Sequence, residues 1–336
     1  MVSAIIGILG NGLVMMVLFQ RRAKSRSTDT LVGGLATADF LTSIVMIPVL
    51  KVVRLPPTRV GEVYCKIQEP NIAKDICVIA SIYILVAIST ERYIAIVHPI
   101  YFNRILTRRR VAMVIIIIWL FAILATFPRI FTTSVGDRGI CLYRYANRVS
   151  QITVAVYLFC LRLLVPTIVL LVTQIFIARH LYLKARRFQG QHNPSFHDVA
   201  RQRVLKIMLI VIITYVICWG PVQVAIFLFF FGVLPQTLRR NASSTLFIVL
   251  SFFNSCVNPI IYALRFREFR EAVWSMFKKQ ERPTSAIFEQ DIAGANERDS
   301  AAGATTDGMS LSNLAHASHN PSCIAGALDG TNLRQQ

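Results

Sequence analysis

Charge is scarce in this chain. Asp, Glu, Lys and Arg make up 16% of its 336 residues, where a soluble domain carries about 25%. Acids are the scarcer half: 17 Asp and Glu stand against 36 Lys and Arg, for a formal net charge of +19. Hydrophobic residues reach 54%, above the roughly 45–50% of a soluble domain. This balance excludes an ordinary soluble enzyme, a disordered regulator and a fibrous protein. Seven cysteines are too few for a disulfide scaffold. The six histidines (His98, His180, His192, His197, His316, His319) lie outside the long apolar runs or at their ends, and Asp39 is the only carboxylate deep within one. An intramembrane protease with paired aspartates or a Ser–His couple therefore lacks its parts, and no enzyme is expected. No internal repeat is visible, which argues against a transporter built from inverted halves. The positive charge is not read as nucleic-acid binding, because Lys and Arg gather in the cytoplasmic loops of membrane proteins.

What the chain has instead is apolar length. A bilayer core about 30 Å thick needs roughly 20 mostly apolar residues per helix. Seven stretches qualify: 2–19, 31–53, 74–97, 111–133, 152–178, 204–233 and 245–263. The expected fold is an all-α, seven-transmembrane helix bundle. Basic residues follow span 1 (Arg21, Arg22, Lys24, Arg26), span 3 (Arg104, Arg108, Arg109, Arg110), span 5 (Arg179, Lys184, Arg186, Arg187, Arg201, Arg203) and span 7 (Arg265, Arg267, Arg270, Lys278, Lys279). The alternate loops carry fewer (Arg54, Arg59, Arg138, Arg144, Arg148, Arg239, Arg240). This bias places the N-terminus outside and the C-terminus in the cytosol, in a multi-pass membrane protein. The first segment has neither a basic n-region nor a cleavage site of the secretory kind. Only ten residues precede Asn11, which reads as a clipped start. From residue 280 the hydrophobicity collapses into Ala, Gly, Ser, Thr and Asn. Residues 1–279 are thus expected to form the bundle, and 280–336 a disordered tail.

Ionisable groups inside a span are functional candidates by default. Here they are Asp39, Glu91, Arg92 and Arg162, with Lys74 and Asp75 opening span 3. Arg92 and Lys74 are 18 residues apart, five turns and about 27 Å along one face. Ser81, 11 residues from Arg92, shares nearly that face, and Asp75 points about 100° away from Lys74. Tyr215, Trp219 and Gln223 line one face of span 6, as Asn254 and Asn258 do in span 7. Pro48, Pro128, Pro166, Pro221 and Pro259 interrupt five spans. Pro221 and Pro259, beside polar clusters, are the candidate hinges.

Several motifs fall in order on these spans: Gly10-Asn11 in span 1, Leu35-Ala36-Thr37-Ala38-Asp39 in span 2, and Glu91-Arg92-Tyr93 closing span 3 with Pro99 after it. Trp119 marks span 4, Pro166 span 5, Cys218-Trp219-Gly220-Pro221 span 6, and Asn258-Pro259-Ile260-Ile261-Tyr262 span 7. Over residues 1–279 the chain resembles a rhodopsin-like (class A) G-protein-coupled receptor. More weakly, Cys218 to Gln223 and Cys65-Lys66-Ile67 near Pro70 resemble neuropeptide receptors of the galanin, allatostatin and kisspeptin kind.

The resemblance implies the rest. Phe269 fits the start of a short amphipathic helix after span 7. Asp39, Ser81, Asn254 and Asn258, with Asn11 and Trp219 close by, match the family's sodium pocket, so the one metal ligand of charge is Asp39 and the one ion an allosteric sodium; a satisfied polar network without an ion is the other reading. No further cofactor is implied. Glu91, Arg92, Tyr93, Pro221, Asn258, Pro259 and Tyr262 match the switch toward a heterotrimeric G protein. Ile82, Pro166 and Tyr215 stand at the transmission positions, with Tyr215 where the family often has Phe. Cys65 and Cys141 match the disulfide between the top of span 3 and the second outer loop. Cys65 lies 27 residues before Arg92 where the family has 25, which an insertion near Glu69–Lys74 explains. Gln174 stands where the family usually has Tyr, and span 6 begins with Arg201 and Arg203 rather than an acid. A lock between spans 3 and 6 is therefore not expected; the local Glu91–Arg92 pair remains.

Amine binding would need an acid where span 3 has Lys74, and an opsin would need a lysine that span 7 lacks. The outer pocket expected from the resemblance combines Lys74, Arg162, Trp219, Gln223 and Ile226. Its cations suit an anionic ligand group: a peptide with an acid or free C-terminus, or, as the alternative, a lipid acid or nucleotide. Arg162 either meets such a group or pairs with Asp75 across the bundle. A weakly coupling scavenger or orphan receptor is a further alternative. Asn241-Ala242-Ser243 is a glycosylation sequon. Ser300, Thr305, Thr306, Ser310 and Ser312 offer sites for a receptor kinase and arrestin, and membrane lipids complete the expected partners.

Overall fold

The computed structural model describes residues 2–20, 27–47, 54–68, 71–136, 139–187, 196–234, 242–265 and 267–278. The basic residues 21–26, Pro48, Glu69, Pro70, Arg138, His192, Arg239, Arg240, the sequon residue Asn241 and the whole tail from Lys279, with its Ser, Thr and Cys323, lie outside the described residues. Among the described residues seven helical columns stand side by side. They are α1 (Val2–Gln20), α2 (Ser27–Val45), α4 (Ile72–Val97), α6 (Arg108–Thr126), a fifth made of α7 (Arg148–Phe159) and α8 (Val165–Arg187), α9 (Phe196–Phe231) and α10 (Ala242–Arg265). Short helices α3 (Arg59–Gln68) and α5 (Pro99–Ile105) flank α4. α4 is the central column, packed against α2, α6 and α8, while α10 closes the ring against α1 and α9.

The outer surface, unlike that of a protein in water, is apolar, while the core is apolar with a few buried polar groups. On α6, Ile116, Ile117, Leu120 and Leu124 face outward, Leu124 at 72% exposure, while Asp39 on α2 is 0% exposed. An apolar outer surface on helices whose backbone groups are paired internally is what a hydrocarbon solvent demands, and the few polar groups are kept inside. α1, α4, α6, the α7–α8 column and α9 each carry a stretch long and apolar enough to cross a bilayer.

The second span's helix is Ser27–Val45 and the sixth's Phe196–Phe231, against 31–53 and 204–233 in the sequence, and three other spans carry a local backbone change. The third is preceded by a separate helix: α3 stops at Gln68, and Asn71 sits in the left-handed region at φ 53° before α4 begins. Asn tolerates that conformation where most residues do not. The expected disulfide forms between Cys65 and Cys141, with Cα atoms 5.6 Å apart, but Cys65 is on α3 and not on the third span itself. The fourth span ends its α-helix at Thr126, and Pro128 falls in the first turn of a 3₁₀ segment, Phe127–Thr132. There proline's missing N–H has no helical partner to lose, so Pro128 ends the span and does not interrupt it. The fifth span changes to one π turn at Cys160–Leu164, just before Pro166.

A hairpin not visible in the sequence links spans four and five: β1 (Thr133–Val135) pairs antiparallel with β2 (Cys141–Tyr143). Gly139 turns it at φ +69°, and its carbonyl accepts the Leu55 N–H at 2.8 Å, so close that a Cβ there would collide with the Leu55 backbone. After α10, helix α11 (Arg267–Lys278) turns away by 90°. Arg270 Nη1 donates to the carbonyls of Ala263 at 3.1 Å and Leu264 at 3.2 Å, capping the end of α10. Phe269, Ala272, Val273 and Met276 form the inward stripe of α11, spaced three and four residues apart.

Gly7 of α1 packs tightly against Ser43 of α2. A Cβ there would overlap Ser43 Oγ and lie 3.0 Å from Ser43 Cβ, whereas at Gly12 the nearest atom is 3.6 Å away, on Phe40. Ser43 Oγ is also committed to the Asp39 carbonyl at 2.8 Å and cannot turn aside freely. Gly7→Ala should therefore destabilise by about 1–3 kcal/mol through overpacking, while Gly12→Ala should be neutral or stabilising. Thermal unfolding of the two detergent-solubilised variants checks this pair.

Candidate functional site

Three polar clusters occur along the bundle axis. The middle one surrounds Asp39. Ser81 Oγ donates to its Oδ1 at 2.7 Å, Ser255 Oγ to the same oxygen at 3.0 Å, and Asn258 Nδ2 to Oδ2 at 2.8 Å. Asn11 ties α1 to α10 beside it, its Nδ2 donating to the carbonyls of Gly7 and Ser255, each at 2.9 Å. Asn254 is buried near this cluster, but the hydrogen bond to Asp39 comes from its neighbour Ser255. The sequence reading passed over Ser255, although it lies three residues before Asn258 and so on the same helix face. Among the described residues Asn11 Oδ1 and Trp219 Nε1 have no hydrogen-bond partner. Trp219 itself is buried in the main core with Tyr215 and Cys218.

The second cluster closes the Arg92 end. Arg92 Nε meets Glu91 Oε2 at 2.8 Å, and the Thr28 hydroxyl donates to Glu91 Oε1 at 2.6 Å while accepting from Arg92 Nη2. Glu91 and Arg92 are both nearly inaccessible, so each needs the others. The local pair expected from the sequence is thus a three-membered ring that engages α2. Thr28 had a signal: it lies 11 residues before Asp39, as Ser81 lies 11 before Arg92. Three turns separate the members on each helix, about 16 Å, so antiparallel α2 and α4 meet at two rungs in register. Nearby, Ser89 shares a 2.7 Å bond with Thr173, and Gln174 Nε2 donates to Ser89 at 3.2 Å. Gln174, which replaces the family's usual Tyr, here holds α8 against α4. Tyr93 packs its ring 6.0 Å from Phe176 on α8. Pro259 and Tyr262 are buried in α10, and the Tyr262 ring lies 6.5 Å from Phe269. Arg201 and Arg203 lie on α9, their side chains outside the described ones.

The third cluster lies at the opposite end. Arg162 Nη2 is 2.8 Å from Asp75 Oδ2, and Arg129 Nη1 contacts the same oxygen. Of the two fates open to Arg162 in the sequence, the structure contains the pairing with Asp75. Arg129, which the sequence reading did not consider, joins them from the 3₁₀ segment; only the turn at Pro128 brings it inward. Lys74 is half-buried one residue before Asp75 in the first turn of α4. Gln223 is buried on α9, two turns beyond Tyr215 and one beyond Trp219, with Ile226 half-buried further along.

Between this end and the middle, Pro166 leaves carbonyls of the fifth span without their usual donor. Tyr83 on α4 donates to the Leu161 carbonyl at 3.3 Å, and Tyr215 on α9 donates to the Arg162 carbonyl. Two hydroxyls from different helices so satisfy the turn that Pro166 opens. Pro221 lies within α9 and Pro259 within α10.

With this arrangement in view, the sequence matches the family described as 7 transmembrane receptor (rhodopsin family) over residues 10–262. It is 26% identical over 287 residues to growth hormone secretagogue receptor type 1 of Oryctolagus cuniculus, covering 81% of this chain and 77% of that receptor. It is 25% identical over 276 residues to the allatostatin-A receptor of Bombyx mori, covering 80% and 75%.

Replacing Thr28 by the near-isosteric Val should leave Glu91 and Arg92 short of one bond each and lower stability by about 1–3 kcal/mol. Thr28→Ser should keep it. Unfolding midpoints of the purified variants, compared side by side, decide between this ring and a bare Glu91–Arg92 pair, for which neither change would matter.

Proposed function

The chain belongs to the rhodopsin-like family of seven-transmembrane, G-protein-coupled receptors, and from that premise we propose that it converts the binding of an extracellular neuropeptide into activation of a heterotrimeric G protein. The relatives named for growth hormone secretagogue and allatostatin-A support the peptide class. The observation that carries the mechanism is the separation of the charged clusters: Asp75 and Arg92 lie 17 residues apart on one helix, about 26 Å, which is nearly the bilayer core. One cluster can meet a ligand at one face of the plasma membrane and the other a G protein at the opposite face. The excess of Lys and Arg after spans 1, 3, 5 and 7 supports an outer N-terminus and a cytosolic C-terminus.

In this reading the agonist occupies the end bearing Lys74, Arg162, Gln223 and Ile226, above Trp219. It must bind the open state better than the closed one. Opening requires α9 to pivot at Pro221, and the Tyr215 bond to the Arg162 carbonyl makes α9 sensitive to any shift of the fifth span. Arg92 then exchanges Glu91 and Thr28 for the G protein, with Tyr262 and Pro259 moving on α10. The Asp39 carboxylate, the Ser81 and Ser255 hydroxyls and the unpartnered Asn11 Oδ1 form an all-oxygen donor set suited to an allosteric sodium ion. Arrestin, a receptor kinase and inner-leaflet lipids are the further partners in this proposal.

Cells expressing the chain should activate a G protein in response to members of a library of acidic and amidated peptides, and Arg92→Ala should abolish the response at equal surface expression. Silence of the surface-expressed chain to the whole library, with a response to lipid acids or nucleotides, would replace the peptide reading. Added sodium should weaken agonist binding to the parent chain, and Asp39→Asn should remove that dependence; equal sodium sensitivity in both would exclude Asp39 as the ion's ligand.

A further inference from the structure

The cluster at the outer end is unbalanced. Two guanidinium groups, Arg129 and Arg162, share a single oxygen of a single carboxylate, Asp75 Oδ2. Asp75 is 2% and Arg162 7% exposed. One positive charge is therefore left over in a largely buried cluster, where a charge without a counter-ion is costly. The surplus has an address. Arg162 Nε is buried and has no hydrogen-bond partner among the described residues, although it is half of the fork by which arginine grips a carboxylate. Arg129 also hydrogen-bonds Tyr143 of β2. Phe131, Thr133 and Ser134, which follow Arg129, line an open cavity of about 590 Å³ together with Glu62, Lys66 and Arg144.

We propose that Arg129 and Arg162 form a binding site for one carboxylate of the ligand, and that Asp75 is the internal counter-ion with which that carboxylate competes. The charge balance selects the ligand chemistry. A single carboxylate neutralises the cluster, whereas a phosphate, carrying about 1.5 to 2 negative charges, overshoots it and leaves Asp75 uncompensated. The planar fork of Arg162 also matches a carboxylate better than an isolated point charge would. Asp75 thereby sets specificity: it holds both arginines in place while the site is empty and makes neutral ligands unable to displace it. The inference rests on reading this end as the ligand side, but its test needs no G protein.

The experiment measures thermal unfolding of the full chain in nanodiscs against three probes. N-acetyl-phenylalanine offers a terminal carboxylate, N-acetyl-phenylalaninamide none, and N-acetyl-glutamic acid α-amide a side-chain carboxylate. The acids should raise the melting temperature and the neutral amide should not; which acid acts more strongly distinguishes a peptide C-terminus from an acidic side chain. Asp75→Asn should lower the half-effective acid concentration by about tenfold, the competitor being gone, and Arg162→Gln should abolish the effect. Should Asp75→Asn alone fail to fold with two uncompensated cations, the double variant Asp75→Asn/Arg129→Gln restores a single surplus charge and should still respond to acid. Equal stabilisation by acid and amide, or an acid effect that survives Arg162→Gln, overturns the site. A chain that answers peptides in cells yet shows no acid preference here would overturn this inference and leave the receptor reading standing.

Discussion

A carboxylate with no exposure, held in the middle of a bundle that is apolar on the outside, constrains almost everything around it. Asp39 has to be satisfied by its neighbours, because neither water nor lipid can do so. Its hydrogen bonds come from Ser81 on α4 and from Ser255 and Asn258 on α10, and Asn11 adds α1 through the Ser255 carbonyl. Four of the seven columns are thus joined at one level. The second rung, Thr28 with Glu91 and Arg92, repeats the α2–α4 contact three turns away. Sliding either helix by one residue would break both rungs together. The two helices therefore behave as one rigid frame against which the others are positioned.

The fifth and sixth columns are held differently. α8 hydrogen-bonds to the frame through Ser89, Thr173 and Gln174, and α9 hydrogen-bonds to the fifth column through one hydroxyl, on a π-turn carbonyl that proline has freed. These contacts are between neutral groups, and each can be exchanged for another without leaving a charge buried. The polar energetics thus divide the molecule into a frame with redundant ties and a movable part with replaceable ones. Pro221, inside α9, falls in the movable part, whereas Pro259 lies in α10 beside Asn258, which is tied to Asp39.

Much of this was legible in the sequence because the bilayer simplifies the problem. Apolar length located the spans, and helical periodicity brought Ser81 and Arg92 onto one face and aligned Tyr215, Trp219 and Gln223. The motifs then identified the family. What escaped was set by backbone events without a sequence period. The break at Asn71 depends on one residue entering the left-handed region, and the hairpin on one turn glycine docking against Leu55. The π turn at Cys160–Leu164 rotates Arg162 relative to an uninterrupted helix. The 3₁₀ turn at Pro128 does the same for Arg129, so no count of residues per turn would have placed the two arginines on one aspartate. Thr28 and Ser255 were a different kind of omission: their spacing was available, but a hydroxyl carries less weight in a sequence than a charge or an amide.

The disulfide shows how the membrane alters a familiar argument. Cys65 and Cys141 close a loop of 76 residues, and in water a loop of that length gives about 4–5 kcal/mol by restricting the unfolded chain. Here the loop contains two complete spans, α4 and α6. Once inserted, each is already confined to the bilayer, and only the short linkers keep the freedom that a cross-link can remove. The entropic gain shrinks to what those linkers supply. Because Cys65 sits on α3, beyond the joint at Asn71, the bond also transmits little force to the third span. Its effect falls on the hairpin, whose strand β2 it fastens to α3 at one end.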